Sequence, residues 1–173
     1  PNNEQFAVFI DESDIPIALR GELPPLTRTF RVQVAKKMVP LSISRSQFEE
    51  LKDVGRRQIE EGLAEFKKTL PSVFDKLSQG VSASLGSEVQ LAAGSMVQLP
   101  AHEESNQMFA WSTFANTELR SELDLNAATA TSVTTTTFVH VKGKVLFLYC
   151  YGGAEDLEWT RKASHAWSES ILK

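Results

Sequence analysis

The sequence predicts an α+β fold: an antiparallel sheet of about six to eight strands, with a long helix over about 46–70 and a C-terminal helix over about 154–172 packed on it. Three observations predict it. Short segments of alternating polarity lie on both sides of one long stretch with helical spacing. The closing segment from Phe138 to Lys173 reads as strand, tight turn, strand and helix. Strands follow one another through short turns, rather than alternating with helices as a parallel nucleotide-binding sheet requires.

Taken in order, Phe6, Val8 and Ile10 alternate with Ala7 and Phe9 as a first strand, closed by the turn formers Asp11, Ser13 and Asp14. Ile15 to Arg20 reads as a second short strand, Gly21, Pro24 and Pro25 as a loop, and Phe30, Val32 and Val34 as a half-solvated strand. Ser46-Gln47-Phe48-Glu49 has the capping-box pattern, in which serine and glutamate side chains take up free backbone donors, so a helix should start there. Phe48, Leu51, Gly55, Ile59, Gly62 and Phe66 form its buried stripe, and Glu50, Lys52, Asp53, Arg57, Glu60, Glu61 and Lys68 its solvated side. A glycine inside a helix costs about 1 kcal/mol against alanine, so Gly55 and Gly62 imply close approach to the sheet or to another helix. Pro71 ends or kinks this helix, and a shorter helical piece follows with Val73, Phe74, Leu77 and Val81 on one side.

Beyond Gly86 the period changes. Val89 and Leu91 read as a strand, Gly94-Ser95 as a turn into Met96–Leu99, Pro100 to Asn106 as a loop, and Phe109, Trp111 and Thr113 as a further strand. Leu119 to Asn126 is polar and reads as a loop. Ala127 to Thr137 holds six threonines, which ordinary β-propensity explains better than a ligand-binding face. The hairpin that follows turns at Lys142-Gly143 or Gly143-Lys144. Either turn sorts Val139, Val141, Leu146, Leu148 and Cys150 to one face and Phe138, His140, Val145, Phe147, Tyr149 and Tyr151 to the other. With both faces apolar, the second strand should be central. Gly152-Gly153 then lets the chain turn sharply into a helix with Glu155, Asp156 and Glu158 at its start and Leu157, Thr160, Ala163, Trp167 and Ile171 as its buried stripe.

At 173 residues, with 42% hydrophobic and 23% charged content, the chain is most simply one domain over 1–173 with a proper core. A net charge of -4 argues against a nucleic-acid partner, which needs a basic surface. The single cysteine, Cys150, has no intramolecular disulfide partner and should be buried and inert. The longest apolar run, Val145 to Tyr151, is far short of a membrane span. Because the chain opens at Pro1 and stops at the end of its last helix, it is expected to be cut from a longer or processed precursor, with room for a membrane tether outside it.

Chemistry-bearing candidates are few. His102-Glu103-Glu104 is the one compact titratable cluster and could supply a general base or a weak metal site, although a solvated loop is the simpler reading. His140 shares a strand face with Phe138, Phe147 and Tyr149 and could be a pH-sensitive or ligand-facing group in an aromatic pocket, with Trp111 a further ligand-binding candidate; a hydrogen-bonded core histidine and a core tryptophan are the simpler readings. His165 should be exposed. No metal-ligand spacing, nucleophile elbow or phosphate loop is present, so no catalytic residue, metal or cofactor is assigned. Gly152-Gly153 before a helix outlines a phosphate site, but Glu155 and Asp156 would repel the anion.

Lys144-Val145-Leu146-Phe147-Leu148-Tyr149-Cys150-Tyr151, then Gly152-Gly153 and a helix ending Trp167-Ser168-Glu169-Ser170-Ile171-Leu172, resembles the end of PsbP-like and DcrB-like domains. The likeness covers roughly the last 40 residues and is one of residue types. It implies a periplasmic or otherwise extracytoplasmic, non-catalytic module that binds or helps assemble a protein partner. The alternatives are a small-molecule-binding domain or hydrolase with a pocket near His140 or His102, and the soluble domain of a membrane-anchored protein.

Overall fold

β-Branched and aromatic residues crowd the second half of the chain, and there the longest strands form. The computed structural model describes residues 5–9, 12, 15–20, 29–34, 43–69, 94–119 and 128–173. The fold is α+β, with an antiparallel sheet and two long helices. In chain order the elements are β1 (Gln5–Phe9), α1 (Ile15–Leu19), β2 (Thr29–Val34), α2 (Arg45–Thr69), β3 (Met96–Gln98), β4 (Glu103–Glu104), β5 (Met108–Leu119), β6 (Ala128–Val141), β7 (Lys144–Gly153) and α3 (Leu157–Leu172), the last entered through a 3-10 turn, Ala154–Asp156. The strand order is β1-β2-β7-β6-β5-β3, with the two-residue β4 also paired to β5. Five strands of five residues or more carry the sheet, and the short β3 and β4 line the outer side of β5.

The hairpin turns at Lys142-Gly143, with φ of 50° and 74°, so both central residues take the left-handed conformation of a type I′ turn and Val141 pairs with Lys144. That register sorts the side chains as expected. Val139, Leu146, Leu148 and Cys150 pack with Met108 under α3, whereas Phe138, Val145 and Phe147 pack with Ile43, Phe48 and Leu51 on the α2 side. β7 lies between β2 and β6, the central place its two apolar faces predict. α2 continues onto β5, where Ile59 and Leu63 meet Phe109, Trp111 and Phe138.

Gly55 explains how closely α2 approaches the sheet: a Cβ there would stand 2.7 Å from the Phe109 ring. Gly62 is different, because its nearest neighbour would be Gln98 Oε1 at an ordinary 3.5 Å.

Several expectations need correction. Ile15–Leu19 is helical, not extended; Pro16 fits the first turn of a helix, where no amide donor is needed. The capping box is two residues earlier than the Ser46–Glu49 pattern: the Ser44 amide donates to Gln47 Oε1 at 2.8 Å and the Gln47 amide to Ser44 Oγ at 3.2 Å. Lys52 is buried rather than solvated, at 3% exposure. Gly152 and Gly153 continue β7 opposite Val133 and Ser132, so the sharp turn comes after them. At Gly152 a Cβ would press on Asp156 at 2.6 Å. The α3 stripe is Leu157, Thr160, Ser164 and Ser168, with Ala163 and Ile171 at its flank and Trp167 39% exposed. The loop expected over Pro100–Asn106 includes β4. Of the loop expected over Leu119–Asn126, Leu119 instead ends β5, and 120–126 lie outside the described residues, as do the turn formers Asp11, Ser13 and Asp14, the loop at Gly21, Pro24 and Pro25, the helix end at Pro71, the helical piece around Val73–Val81 and the strand at Val89 and Leu91.

Candidate functional site

The chemistry concentrates where the segment from Leu99 to Ser105 folds back along β5. The Leu99 amide donates to the Ser112 carbonyl at 2.8 Å and the His102 amide to the Ala110 carbonyl at 3.0 Å, which fixes this segment along the strand. Adjacent strand residues point to opposite faces, so Glu103, opposite Ala110, turns towards α3 and Glu104, opposite Phe109, towards α2. Each carboxylate then ties the edge of the sheet to a helix.

On the α2 side, Arg56 donates to Glu104 through Nε at 3.3 Å and again through an Nη, and another Nη meets Asp53. The Arg56 hydrogen bond, before any other influence, holds the Glu104 carboxyl below the usual carboxylate range. Lys52 Nζ donates to the Ser105 carbonyl at 2.8 Å, pairs with Glu49 at 2.8 Å and lies 3.7 Å from Glu104. Its stem passes the Phe48 ring, with Nζ 5.6 Å from the centroid, which lets a lysine be buried without an orphaned charge.

On the α3 side, Glu103 meets His165 Nδ1 at 2.8 Å. One turn earlier, Arg161 reaches under the same segment and donates from Nε to Ser112 Oγ at 3.2 Å. Ser112 begins a buried chain of hydroxyls: Ser112 and Thr135 are 2.9 Å apart, Thr135 and Thr160 2.9 Å, and Thr160 donates to the Leu157 carbonyl at 2.9 Å. A hydroxyl carries one proton, so the order is fixed: arginine to Ser112, Ser112 to Thr135, Thr135 to Thr160, Thr160 to the carbonyl. A second link joins Thr137 and Ser164 at 2.6 Å, and Ser168 donates to the Ser164 carbonyl.

His102 is exposed as a residue, but crowding of its imidazole by protein, followed by the Arg161 charge, pushes its pKa down to about 4. Arg161 is half-buried, and that burial pulls its own pKa down, with Glu158 opposing.

The structure does not bring the other sequence candidates to this place. His140 donates from Nε2 to the Ile43 carbonyl at 3.1 Å and stacks on Phe48 at 5.2 Å, while Ile43 itself donates to the Gly143 carbonyl. The carbonyl can only accept, so Nε2 carries the proton, and the ring anchors the start of α2 to the hairpin. Trp111 is buried edge-on to Phe138 at 5.0 Å, and Tyr149 stacks with Tyr151 at 6.4 Å. Trp111, His140 and Tyr149 share the α2 face of the sheet, whereas Glu103 turns to the α3 face. Cys150 is buried in β7, and that burial, aided by Asp156, pushes its thiol up to about 12, which leaves it unreactive. A shallow depression of about 410 Å³, open to solvent, runs along α2 between Glu50, Asp53, Arg56, Arg57 and Glu60. Among the described residues no group of three or more His, Cys, Asp or Glu side chains is placed to hold a metal ion, and no helix is long and apolar enough to cross a membrane.

Sequence reasoning missed Arg161, Ser112 and Lys52. Only Arg161 left a signal, as a cation within the first turns of a helix whose start is otherwise acidic. Against protein-family models, curated proteins and solved structures, the chain gives no match.

Proposed function

We propose that this domain is a non-catalytic module that recognises a protein partner, using the sheet edge where the Leu99–Ser105 segment meets α3. One observation carries the reading. Apart from His102, the titratable candidates that a catalytic site would free for substrate are engaged in joining elements: Glu103 to His165, Glu104 to Arg56 and Lys52, and His140 to Ile43. Groups fixed in this way build a rigid edge, and a rigid edge with exposed polar side chains suits binding. The likeness of the closing segment to PsbP-like and DcrB-like domains supports the same reading, including a setting outside the cytoplasm and a tether in flanking sequence. A hydrophobic stretch of about 20 residues next to this segment in the gene would support the tether, and flanks without one would remove it.

The test is photo-crosslinking from the exposed Ala101 position, within the Leu99–Ser105 segment. The chain carrying a photoreactive residue there, in its own host cell, should give one discrete protein adduct. Absence of any adduct would count against the reading. So would turnover of ester, amide or phosphoester substrates by the purified chain that disappears on Glu103→Ala or His102→Ala.

A further inference from the structure

We propose that the Arg161 guanidinium, seated on Ser112 beside the Leu99–Ser105 segment, is a binding site for a carboxylate presented by a protein partner; this rests on the reading of the domain as a protein-recognition module.

Three features of the geometry lead there. Arg161 is half-buried, and among the described residues no carboxylate pairs with it: Glu158, three residues earlier on the same helix, is engaged by Lys162 at 3.2 Å. A cation taken partly out of water without a counter-ion is costly, and an arriving anion removes that cost. Next, Nε is taken by Ser112, whose own proton is committed down the hydroxyl chain, so the guanidinium is held at a fixed height and angle. The two Nη groups make no hydrogen bond to any described residue, and together they form the end-on fork that matches the two oxygens of a carboxylate. Finally, the Arg161 charge is felt at His102, whose lowered pKa of about 4 leaves a neutral imidazole at pH 7 with one ring N–H donor and no second charge.

Local charge favours a monoanion over phosphate. Glu158, paired with Lys162, still bears on Arg161 through its charge, so a dianion would meet a standing carboxylate beside the single guanidinium that holds it.

Nuclear magnetic resonance on the whole chain at pH 7 tests this, following the Arg161 Nε–H and His102 ring signals. The probes are sodium acetate, an acetylated trialanine with a free C-terminus, an acetylated and amidated Ala-Glu-Ala, sodium phosphate, and sodium chloride at matched ionic strength. Acetate should move both signals saturably where chloride does not, and the peptide that binds more tightly identifies the source as a chain end or an acidic side chain. Arg161→Gln should weaken acetate binding about tenfold, as expected for loss of a charge-assisted pair. Arg161→Lys keeps the charge, so it guards against a folding defect, and should weaken binding severalfold through loss of the fork. A response to acetate no larger than to chloride, tighter binding of phosphate than of acetate, or unchanged binding in both variants would overturn the site. If the site fails while the crosslinked adduct at position 101 persists, the recognition function stands without it; saturable acetate binding with no adduct would instead support an anion site while overturning its use for a protein partner.

Discussion

The two faces of the sheet are held by different physics. Under α2 the contacts are aromatic: Phe109, Trp111, Phe138 and Phe147 meet ring on ring and Phe48 stacks on His140, with Lys52 over the Phe48 ring and Arg56 over Phe109. Under α3 the centre of the contact is hydroxyl, with Ser112, Thr135, Thr137, Thr160, Ser164 and Ser168 all buried and bonded, and apolar side chains packed around them. Apolar packing is non-directional and grows with area, so the α2 face gains stability from size. Hydrogen bonds gain little net stability when made and cost much when broken, so the α3 face gains one seating of the helix rather than strength. It is this seating that aims Arg161 at the edge of the sheet.

That contrast can be broken by direct substitution. Phe109→Ala should have the largest effect, about 3–5 kcal/mol in urea unfolding, because Phe109 is fully buried and Gly55 holds α2 too close for easy collapse. Thr135→Val keeps the volume but leaves Ser112 without an acceptor and Thr160 without a donor, and should cost about 1–3 kcal/mol. If the hydroxyls act as one chain, adding Thr160→Val to it should cost clearly less than the sum of the single changes. Additive costs would mean that the α3 face is ordinary packing.

The two helix glycines sharpen the comparison. Gly55→Ala should destabilise by about 1–2 kcal/mol, as overpacking against Phe109 exceeds the gain in helix propensity. Gly62→Ala, with room for its methyl, should instead stabilise by about 0.5–1 kcal/mol.

Acid titration gives the smallest effect. The His102 pKa in the fold, about 4, lies below its ordinary 6.5, so the unfolded chain binds more protons between those values and stability falls as pH falls through that window. Glu104 acts in the same direction: its carboxyl is held low by Arg56, so stability present above the ordinary glutamate range is lost as pH drops below it. Denaturation midpoints recorded from pH 7 to pH 3 should decline, and Glu104→Gln should flatten the part of the decline below the ordinary glutamate range.

The hairpin, its facial sorting and the extent of α2 were legible because period and turn chemistry agree over long segments. The α3 stripe was not, because hydrophobicity scoring selects Trp167 over Ser164 and Ser168, and only the threonines opposite make serine the better residue there. The capping box shifted because Ser44 and Ser46 both satisfy the pattern, and Ile43, bonded to Gly143, decides between them. Ile15–Leu19 is too short for period to separate helix from strand. Of the site, His102, Glu103 and Glu104 were visible as a local cluster, but Arg161 and Ser112 join them only through the antiparallel register and the docking of α3. No local spacing encodes that.

The pairing of β2 with β7, in which Thr29 meets Tyr151, has a consequence during synthesis. One side of β2 has no neighbour until the ribosome has released residues 144–153, near the end of this segment. Such distant partners make closure of the sheet slow and leave an unpaired strand exposed while translation continues. A chaperone that shields extended segments should therefore raise the yield of folded chain, and should do so by acting on the nascent amino-terminal portion.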